Sequence, residues 1–424
     1  MLSTEENKLL TETGPGTPMG NLFRRYWVPV LVSEELPSPD CPPVRVKVMS
    51  ENLVAFRDSN NQVGLVDEHC PHRRASLFFG RNEEGGLRCV YHGWQFDVCG
   101  RCIDMPSEPP ESNFKDKVTI KSYPCKEFGG VVWAYMGPAE QMPELPQFEF
   151  ALLPKNHRRI RRSFQESNFF QGLEGVLDSS HISFLHRQVN PDAPPEIKMK
   201  NQAGSPKFEV AKTDYGMVIG AKRSTEDPGT FYWRITQFVM PWYSMIAPFL
   251  IHPNDRQMHC WVPIDDEKSI HWFFGWNPLA PLTEEKVPSY DFYHLELVPG
   301  TIRPKANKDN NYLIDRELQA EGLSYTGLVG LNTQDAAMTE SAGAIADRSI
   351  ERLGTSDTAI ITARRILLNA VKGLQNGETP LGLDPEIVKV RATSIMLPQG
   401  VSFLEGAKEL LVLNEGDYVA DSNR

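Results

Sequence analysis

Short apolar runs separated by turn residues dominate residues 43–137. Hydrophobic and polar positions tend to alternate within each run, and Asn-Asn, Gly-Gly and Cys-Gly pairs separate the runs. This pattern is typical of an all-β domain built from short strands. The predicted strands are VRVKVMS, NLVAFRD, QVGLVDE, LRCVYH, WQFDV, KVTIKSY and GVVWAYMG.

The periodicity changes in the second part of the chain. Apolar residues recur at helical spacing over residues 169–177, and strand-like runs return between residues 207 and 277. Near the end, Ser356 and Asp357 precede the segment TAIITARRILLNAVKGL, which has the pattern of an N-capped amphipathic helix. The second part is therefore predicted to be an α+β domain, with helices packed on a sheet.

A chain of 424 residues is too long for one ordinary core, which indicates two domains. The Pro-rich stretch MGPAEQMPELPQFEF ends at Phe150 and is the predicted boundary. We expect an N-terminal arm over residues 1–42, a β domain over residues 43–150 and a larger domain over residues 151–424.

Composition narrows the possible partners and compartments. The formal net charge of -11 argues against nucleic acid as a partner, which would need a basic face. Seven cysteines in so long a chain do not form a disulfide framework and fit a reducing compartment. The N-terminus lacks the features of a signal peptide, and no apolar stretch reaches the length of a membrane span. We expect a cytoplasmic protein with no membrane association.

Two cysteine–histidine pairs form the first chemical motif. Cys70 and His72 stand in a C-x-H pattern, and Cys89 and His92 stand in a C-x-x-H pattern. Two thiolates and two imidazoles can bind a tetrahedral zinc ion, or a Rieske [2Fe–2S] cluster in which two cysteines hold one iron and two histidines hold the other. The surrounding sequences CPHRRA and CVYHGWQFDVCGRC resemble the Rieske signature of ring-hydroxylating oxygenases, and this resemblance favours the cluster. Cys99 and Cys102 form a C-x-x-C without a second pair, so they are interpreted as turn residues, and His69 is interpreted as a neighbour of the ligands.

A second constellation follows at the end of the predicted helix. Asp178, His181 and His186 form a D-x2-H-x4-H pattern. Helical spacing would put Asp178 and His181 on one face, whereas His186 needs a bend to reach the same metal. Two imidazoles and one carboxylate bind Fe(II) and leave positions open for O2 and substrate.

The third iron ligand has to come from farther along the chain. Asp335, in LNTQDAAMTES, is the preferred candidate because it opens a short helical pattern. Asp357 is better explained as the capping residue of the last long helix, and Asp347 is a more distant alternative.

The whole chain resembles the α-subunits of Rieske non-haem iron oxygenases, and most of all the phthalate dioxygenase branch. The resemblance runs from TGPGTPMGNLFRRYWVPV through the cysteine–histidine motif and DSSHISFLH to QDAAMTESAGAIADRSIERLGTSD and RATSIMLPQG. It implies an N-terminal all-β Rieske domain and a C-terminal helix-grip catalytic domain, assembled as a homotrimer or a stacked hexamer. It also implies that the Asp178 carboxylate links a cluster histidine, here His92, to His181 of a neighbouring subunit.

The resemblance further implies a terminal oxygenase that takes electrons from an NADH-dependent reductase with FMN and a ferredoxin domain. Such an enzyme uses O2 to dihydroxylate an aromatic carboxylate, and O-demethylation of an aryl acid by the same iron site is the alternative. An electron-transfer protein would not need the second motif, and a zinc scaffold would have no redox role. Lys207, Arg223 and Arg234 are the candidates for binding the substrate carboxylate, although each can also be a solvated charge at a strand edge.

Overall fold

The computed structural model describes residues 2–187, 189, 196, 206–283 and 295–421. The chain forms two compact units, one of Thr13–Leu145 and one that combines Met1–Glu12 with Pro146–Arg424. The division differs from the predicted arm and boundary. Residues Trp27–Val32 form a strand paired with Val131–Tyr135, so the segment predicted to end an arm belongs to a sheet of the smaller unit.

The smaller unit is all-β apart from one short helix, α2 (Pro18–Phe23), and short 3-10 turns. Its described strands form three antiparallel sheets with the orders β1-β11-β10, β2-β3-β4-β9 and β5-β6-β7-β8. The strands are β1 (Trp27–Val32), β2 (Val44–Val48), β3 (Glu51–Arg57), β4 (Val63–Asp67), β5 (Arg81–Glu83), β6 (Gly86–Arg88), β7 (Gln95–Phe96), β8 (Cys102–Asp104), β9 (Ser122–Tyr123), β10 (Cys125–Phe128) and β11 (Val131–Tyr135).

The predicted strands are present, but three are much shorter than the pattern indicated, and WQFDV contributes only Gln95–Phe96. The run KVTIKSY contributes only Ser122–Tyr123, since Lys117 ends a 3-10 turn and Thr119 makes only an isolated bridge to Arg101. The run LRCVYH is a strand only as far as Arg88, since the chain turns at Cys89 to form a loop. These short strands lie in or near the cysteine–histidine loops, where the chain forms turns instead of pairing with a neighbouring strand.

The larger unit is built on one antiparallel sheet, with the order β12-β18-β17-β16-β15-β14-β13 and β19 paired to the first half of β15. Its strands are β12 (Arg158–Gln165), β13 (Lys207–Thr213), β14 (Gly216–Ser224), β15 (Thr230–Val239), β16 (Tyr243–Ile246), β17 (Arg256–Pro263), β18 (Ser269–Trp276) and β19 (Thr393–Pro398). Its described α-helices are α1 (Thr4–Thr11), α3 (Glu149–Leu152), α4 (Phe169–Leu177), α5 (Arg316–Ala320), α6 (Leu331–Ser341), α7 (Thr358–Gln375) and α8 (Phe403–Gly406). The predicted α+β class is confirmed.

Helix α4 is packed closely against the sheet. The side chains of Phe169, Leu173 and Leu177 on α4 are buried, which explains why apolar residues recur at helical spacing in this segment. A Cβ atom at Gly172 would lie 2.2 Å from Nε1 of Trp261 on β17, so a residue without a side chain is needed at this contact. The helix end that carries the second motif is therefore held directly over the sheet.

An ion-pair network fixes the other side of α4. Glu174 accepts hydrogen bonds from Nε and Nη2 of Arg348 and from Nε of Arg364. Side chains of both arginines are buried, with 0% and 5% exposure. Nη1 of Arg364 also pairs with Glu351 at 2.8 Å, so two arginines and two glutamates balance one another in this network.

Candidate metal centres and substrate pocket

The two cysteine–histidine loops have the same backbone geometry. The Cys70 N–H donates to the Ala75 carbonyl and the Cys89 N–H donates to the Trp94 carbonyl. The residues four positions after each cysteine, Arg74 and Gly93, donate back to the cysteine carbonyls at 2.9 Å and have positive φ angles of 60° and 80°. The two turns therefore present their cysteine and histidine side chains in similar ways.

The four side chains of these loops come together. The rings of His72 and His92 lie 4.4 Å apart, and the Trp94 indole stacks on His72 at 4.4 Å. Both thiols are buried and free of disulfides. A hydrogen bond between them raises the pKa of Cys70 and lowers the pKa of Cys89 to about 6.

The donor set fits a metal cluster. Nδ1 of His72 is buried and has no hydrogen-bond partner in the described part of the chain, which is costly unless another group binds it. Backbone N–H groups of Tyr91 and His92 also hydrogen-bond the sulfur of Cys89, as expected for a sulfur atom that carries negative charge. Two adjacent sulfurs, two imidazoles and an unsatisfied ring nitrogen match the ligands of a Rieske cluster.

The neighbouring cysteines and histidine stay outside this group. Cys99 is exposed in a turn, and its carbonyl accepts from the Ser122 hydroxyl. Cys102 is buried and its thiol donates to the Asp104 carbonyl. The backbone N–H of His69 donates to the Asp67 carboxylate, which agrees with its interpretation as a neighbour.

The second motif follows the end of α4. Asp178 is the residue after the last helical turn, with extended backbone angles, and a 3-10 turn covers His181–Ser183. The expectation that Asp178 and His181 share a helix face is therefore wrong, because the helix ends at Leu177. The expected bend is present, and it brings the two imidazole rings to 4.8 Å at an angle of 81°.

Asp335 completes the group from helix α6. Nε2 of His186 lies 3.1 Å from Oδ1 of Asp335, and Nε2 of His181 lies 3.8 Å from the same oxygen. The three ligand atoms all lie within 4.8 Å of one another, and the group is partly exposed. Burial alone would raise the pKa of the Asp335 carboxyl, but the neighbouring imidazoles lower it below its usual value. The arrangement can hold a metal with open positions.

The outer nitrogens of the two imidazoles face different partners. Nδ1 of His181 lies 3.5 Å from Oδ2 of Asp178, a carboxylate, whereas Nδ1 of His186 lies 2.8 Å from Oε1 of Gln334, a neutral amide. The Gln334 amide nitrogen donates to the Leu328 carbonyl at 3.0 Å, so its oxygen has to face the histidine. The Gln334 oxygen requires a hydrogen on Nδ1 of His186, which leaves Nε2 of that ring to face a metal, and the Asp178 carboxylate favours the same tautomer in His181.

The other two aspartates considered as iron ligands have different contacts. The Asp357 carboxylate accepts from the Gly354 N–H at 2.6 Å, in the turn before α7. It occupies the cap position but makes no side-chain bond to the first turn of α7. The Asp347 carboxylate accepts from the N–H and hydroxyl of Ser349.

One pocket contains the ligand group and a wall formed by the sheet. Arg234 on β15 lines this pocket, is 6% exposed, and its Nε has no hydrogen-bond partner among the described residues. Arg223 on β14 is buried and turned onto Ser179, whose carbonyl accepts from Nη2 at 2.6 Å. Lys207 is exposed at the start of β13. Of the three predicted carboxylate-binding residues, the structure places only Arg234 in the pocket.

Several residues of the site were not predicted. They are the polar pocket wall formed by Gln165, His259, Trp261 and His271, and Gln334, the hydrogen-bond partner of His186. The available signal was the presence of histidines inside the otherwise apolar runs MHCWVPI and IHWFFGW. Alternate positions of these runs face the pocket, which the strand pattern allows but does not assign.

Comparison with known proteins decides the family. Residues 26–124 match the Rieske [2Fe-2S] domain, and residues 134–402 match the family described as LigXa C-terminal domain like. The chain is 40% identical to the 3-chlorobenzoate-3,4-dioxygenase oxygenase subunit of Comamonas testosteroni, over 91% of this chain and 92% of that protein. The chain belongs to the Rieske aromatic ring-hydroxylating dioxygenases, as an oxygenase α-subunit.

Further comparisons agree with this membership. The chain is 39% identical to the phthalate 4,5-dioxygenase oxygenase subunit of Pseudomonas putida, over 93% of this chain and 92% of that one. The fold is shared with a solved structure of the Pseudomonas putida CBB5 NdmA QL mutant with caffeine, with a TM-score of 0.60, 18% identity and coverage of 85% and 94% of the two chains.

Membership of the Rieske oxygenases confirms the predicted fold and cofactors. The family binds a Rieske [2Fe–2S] cluster and a mononuclear non-haem iron, and its oxygenase component receives electrons from ferredoxin or reductase partners. No described helix is long and apolar enough to span a membrane.

Proposed function

We propose that this oxygenase dihydroxylates an aromatic carboxylate and that Arg234 binds the carboxylate. The observation that carries the proposal is a buried guanidinium, without an acidic partner in the part of the chain that the structure describes, in the same pocket as His181, His186 and Asp335. A buried cation is costly unless an anion pairs with it, and a carboxylate is the geometric match for a guanidinium.

Arg234 is better suited to this role than the other two cations. Arg223 donates to the carbonyl and hydroxyl of Ser179, and burial lowers its pKa to about 10. Lys207 is exposed and paired in register with Lys222 on the neighbouring strand, away from the pocket lining. An aryl acid bound by Arg234 would have its ring inside the pocket that contains the iron ligands.

The geometry supports the proposed metal ligands. Cys70, Cys89, His72 and His92 would hold the cluster, as the unsatisfied Nδ1 of His72 supports. His181, His186 and Asp335 would hold Fe(II). When bound, the iron supplies the site where O2 is activated with electrons from the cluster. In this proposal the protein orients the ligands through Asp178 and Gln334 and binds the acid group through Arg234.

We further propose that Asp178 carries the electron path between subunits of a homotrimer or a stacked hexamer. Its carboxylate already faces Nδ1 of His181, and the other oxygen accepts the Ser180 N–H at 2.6 Å. Val90 and Tyr91, beside the cluster ligands, are 59% and 54% exposed, as expected for residues that contact another subunit. Electrons would come from an NADH-dependent reductase with FMN and a ferredoxin domain.

The test is turnover of the purified holoenzyme with a phthalate-type reductase, NADH and O2 against a panel of aryl carboxylates. A gain in product mass of two oxygens and two hydrogens supports dihydroxylation. Loss of CH2 with release of formaldehyde would replace it with O-demethylation. If no aryl acid is converted or stimulates NADH oxidation while both iron centres are intact, the aromatic-carboxylate proposal is wrong.

Two matched variants test the role of Arg234. Arg234→Met should raise KM for every accepted acid by the equivalent of roughly 2–5 kcal/mol, since a buried charged hydrogen-bonding partner is lost. Lys207→Met removes a cation of the same sheet that does not line the pocket, and it should leave KM unchanged. Equal effects of the two variants would contradict the assignment.

A further inference from the structure

The segment that links α4 to His181 is shaped mainly by local contacts. Asp178 follows the last helical turn, and its Oδ1 accepts the Ser180 N–H at 2.6 Å. The described backbone hydrogen bonds of Asp178–Ser180 run to near neighbours in the sequence. Local bonds of this kind shape the turn but do not fix its position relative to the sheet.

One side chain of the sheet reaches this segment. Nη2 of Arg223 on β14 donates to the Ser179 carbonyl at 2.6 Å. Nη2 and Nη1 also lie 3.3 and 3.4 Å from the Ser179 hydroxyl. Among the described residues, no other hydrogen bond joins Asp178–Ser180 to the sheet. Arg223 is therefore the contact that ties this turn to β14.

A single peptide group connects Arg223 to the Asp178 carboxylate. The Ser179 carbonyl and the Ser180 N–H belong to the same planar peptide, so a bond that holds one end orients the other. The carbonyl accepts from Arg223, and the N–H donates to Oδ1 of Asp178. Oδ2 of Asp178 lies 3.5 Å from Nδ1 of His181. A charged donor on the carbonyl also polarises the peptide and strengthens its N–H as a donor.

Arg223 is buried and still carries its charge. The residue is 1% exposed, and its Nε has no hydrogen-bond partner in the part of the chain that the structure describes. Burial and the nearby Arg234 lower the pKa of Arg223 to about 10, while the charge of Asp178 acts in the opposite direction. The guanidinium is therefore protonated at pH 7. Its bonds to Ser179 and its attraction to Asp178 offset part of the cost of burying it.

The position of Arg223 differs from that of a substrate-binding residue. Arg223 pairs in register with Tyr232, so its side chain faces the same side of the sheet as Arg234. Arg234 lines the pocket, as do Asp178 and Ser179, but Arg223 does not. It contacts the turn and not the pocket surface.

We propose that Arg223 positions Asp178 for electron delivery to the mononuclear iron and takes no part in binding the acid. The inference rests on the proposed function of Asp178 as the electron path. The electron moves from the reduced [2Fe–2S] cluster, which is oxidised, to the mononuclear iron, which is reduced from Fe(III) to Fe(II). Without Arg223, the Ser179–Ser180 peptide can rotate and the Asp178 carboxylate loses its fixed position beside His181.

Hydrogen–deuterium exchange of the holoenzyme tests the position of the turn, by mass spectrometry of peptides that contain Ser180. The Ser180 N–H should exchange roughly ten- to a hundredfold faster in Arg223→Met, because a hydrogen bond from a charged group is lost. Lys222→Met is the matched control and should exchange like the wild type. It removes a cation from the other face of β14, where the ammonium lies 4.0 Å from the Phe231 ring centroid.

Single-turnover kinetics separate positioning from substrate binding, with phthalate and 3-chlorobenzoate as the probes. Arg223→Met should slow reoxidation of the reduced cluster by about tenfold or more, since a charged hydrogen bond is worth at least that factor, and leave KM for the acid unchanged. Arg223→Lys keeps a charged donor but not the planar fork, so its exchange and electron-transfer rates should lie between those of Arg223→Met and the wild type.

Circular dichroism checks that the variants fold. If Arg223→Met does not fold, the comparison of Arg223→Lys with the wild type decides the question. Equal exchange and electron-transfer rates in these two proteins would overturn the inference.

The outcomes separate this inference from the proposed function. Wild-type exchange and electron transfer in Arg223→Met, together with slow transfer in Asp178→Asn, overturn the positioning role and leave the Asp178 path in place. A raised KM with normal electron transfer would make Arg223 a substrate-binding residue and would also overturn it. If Asp178→Asn itself transfers electrons at the normal rate, the proposed path is wrong and this inference falls with it.

Discussion

Replacing Gln334 with leucine removes the only described hydrogen-bond partner of the outer nitrogen of His186. The Oε1 atom of Gln334 lies 2.8 Å from Nδ1 of His186, and the amide nitrogen is anchored by the Leu328 carbonyl and the Thr326 hydroxyl. Because the two tautomers of a free imidazole differ little in energy, this contact decides which nitrogen carries the hydrogen. Without it, the hydrogen can occupy Nε2, the atom that faces Asp335.

The expected loss can be estimated from this single contact. Removing an outer partner of a metal-bound histidine usually lowers metal affinity by about 10–100-fold, or roughly 1.4–2.7 kcal/mol. The contact here is short and well anchored, so Gln334→Leu should lie in the upper half of this range. The fold should be preserved, because α6 has ten other residues and leucine is a good helix former.

The assay is titration of the metal-free mononuclear site with Fe(II) under anaerobic conditions, or with Co(II), whose visible spectrum also reports ligand geometry. Gln375→Leu, at the exposed end of α7, is the matched control and should bind metal like the wild type. An affinity within twofold of the wild type for Gln334→Leu, with an unchanged Co(II) spectrum, would refute the positioning role.

Three other substitutions test the rest of the site. Asp335→Asn should lose mononuclear iron and keep the cluster absorbance, whereas Asp357→Asn should keep both, as measured by iron content; the opposite result would exchange the ligand assignment. Asp178→Asn should keep both metals but slow single-turnover electron transfer by several orders of magnitude, and a normal rate would exclude the proposed path. Glu174→Gln should destabilise the larger unit by about 3–5 kcal/mol in urea unfolding, because the buried Arg348 guanidinium loses its only described carboxylate partner, whereas Arg364 keeps Glu351; a change below 1 kcal/mol would show that the network is not needed.

Local motifs explain why so much of the metal chemistry could be predicted. Cys70, His72, Cys89 and His92 lie on two turns whose geometry depends on a few neighbouring residues. In the same way, the second motif spans only the end of α4 and the turn that follows. Spacing along the chain is then nearly equivalent to proximity in space.

The third ligand could not be decided in this way. Asp335 and Asp357 both stand at the start of a helical pattern, and their local sequences give similar predictions. What separates them is that α6 brings Asp335 to the two imidazoles, whereas Asp357 lies in the turn before α7 and bonds to Gly354. Packing between segments that are far apart in the chain cannot be recognised from the spacing of residues within either segment.

The pocket wall formed by the sheet could not be predicted from the sequence, for a related reason. Strands with apolar residues on both faces, such as β17 and β18, show no alternation that assigns one face to the pocket. The face is set by strand register, which places Trp261 opposite His271 and His259 opposite Phe273. The same limit explains why Arg223 and Arg234, eleven positions apart on paired strands, could not be separated before the structure.

The wall and the iron ligands are connected by a chain of hydrogen bonds. Nε1 of Trp261 donates to Gln165, Gln165 donates to the Thr339 hydroxyl, and that hydroxyl donates to the Asp335 carbonyl, at 2.6, 2.7 and 2.8 Å. Trp261 also sets the approach of α4 through its contact with Gly172. A change at Trp261 or Gln165 is therefore expected to disturb the backbone of Asp335, the proposed third iron ligand, as well as the pocket surface.

Arg234 and His271 are placed differently. They line the same pocket, but none of their described hydrogen bonds leads to Asp335, His181 or His186. Substitutions at these two positions can therefore alter the pocket surface without breaking the hydrogen bonds that reach Asp335. Under the proposed function, a change of specificity should be sought first at Arg234, which lines the pocket but stands outside that chain of hydrogen bonds.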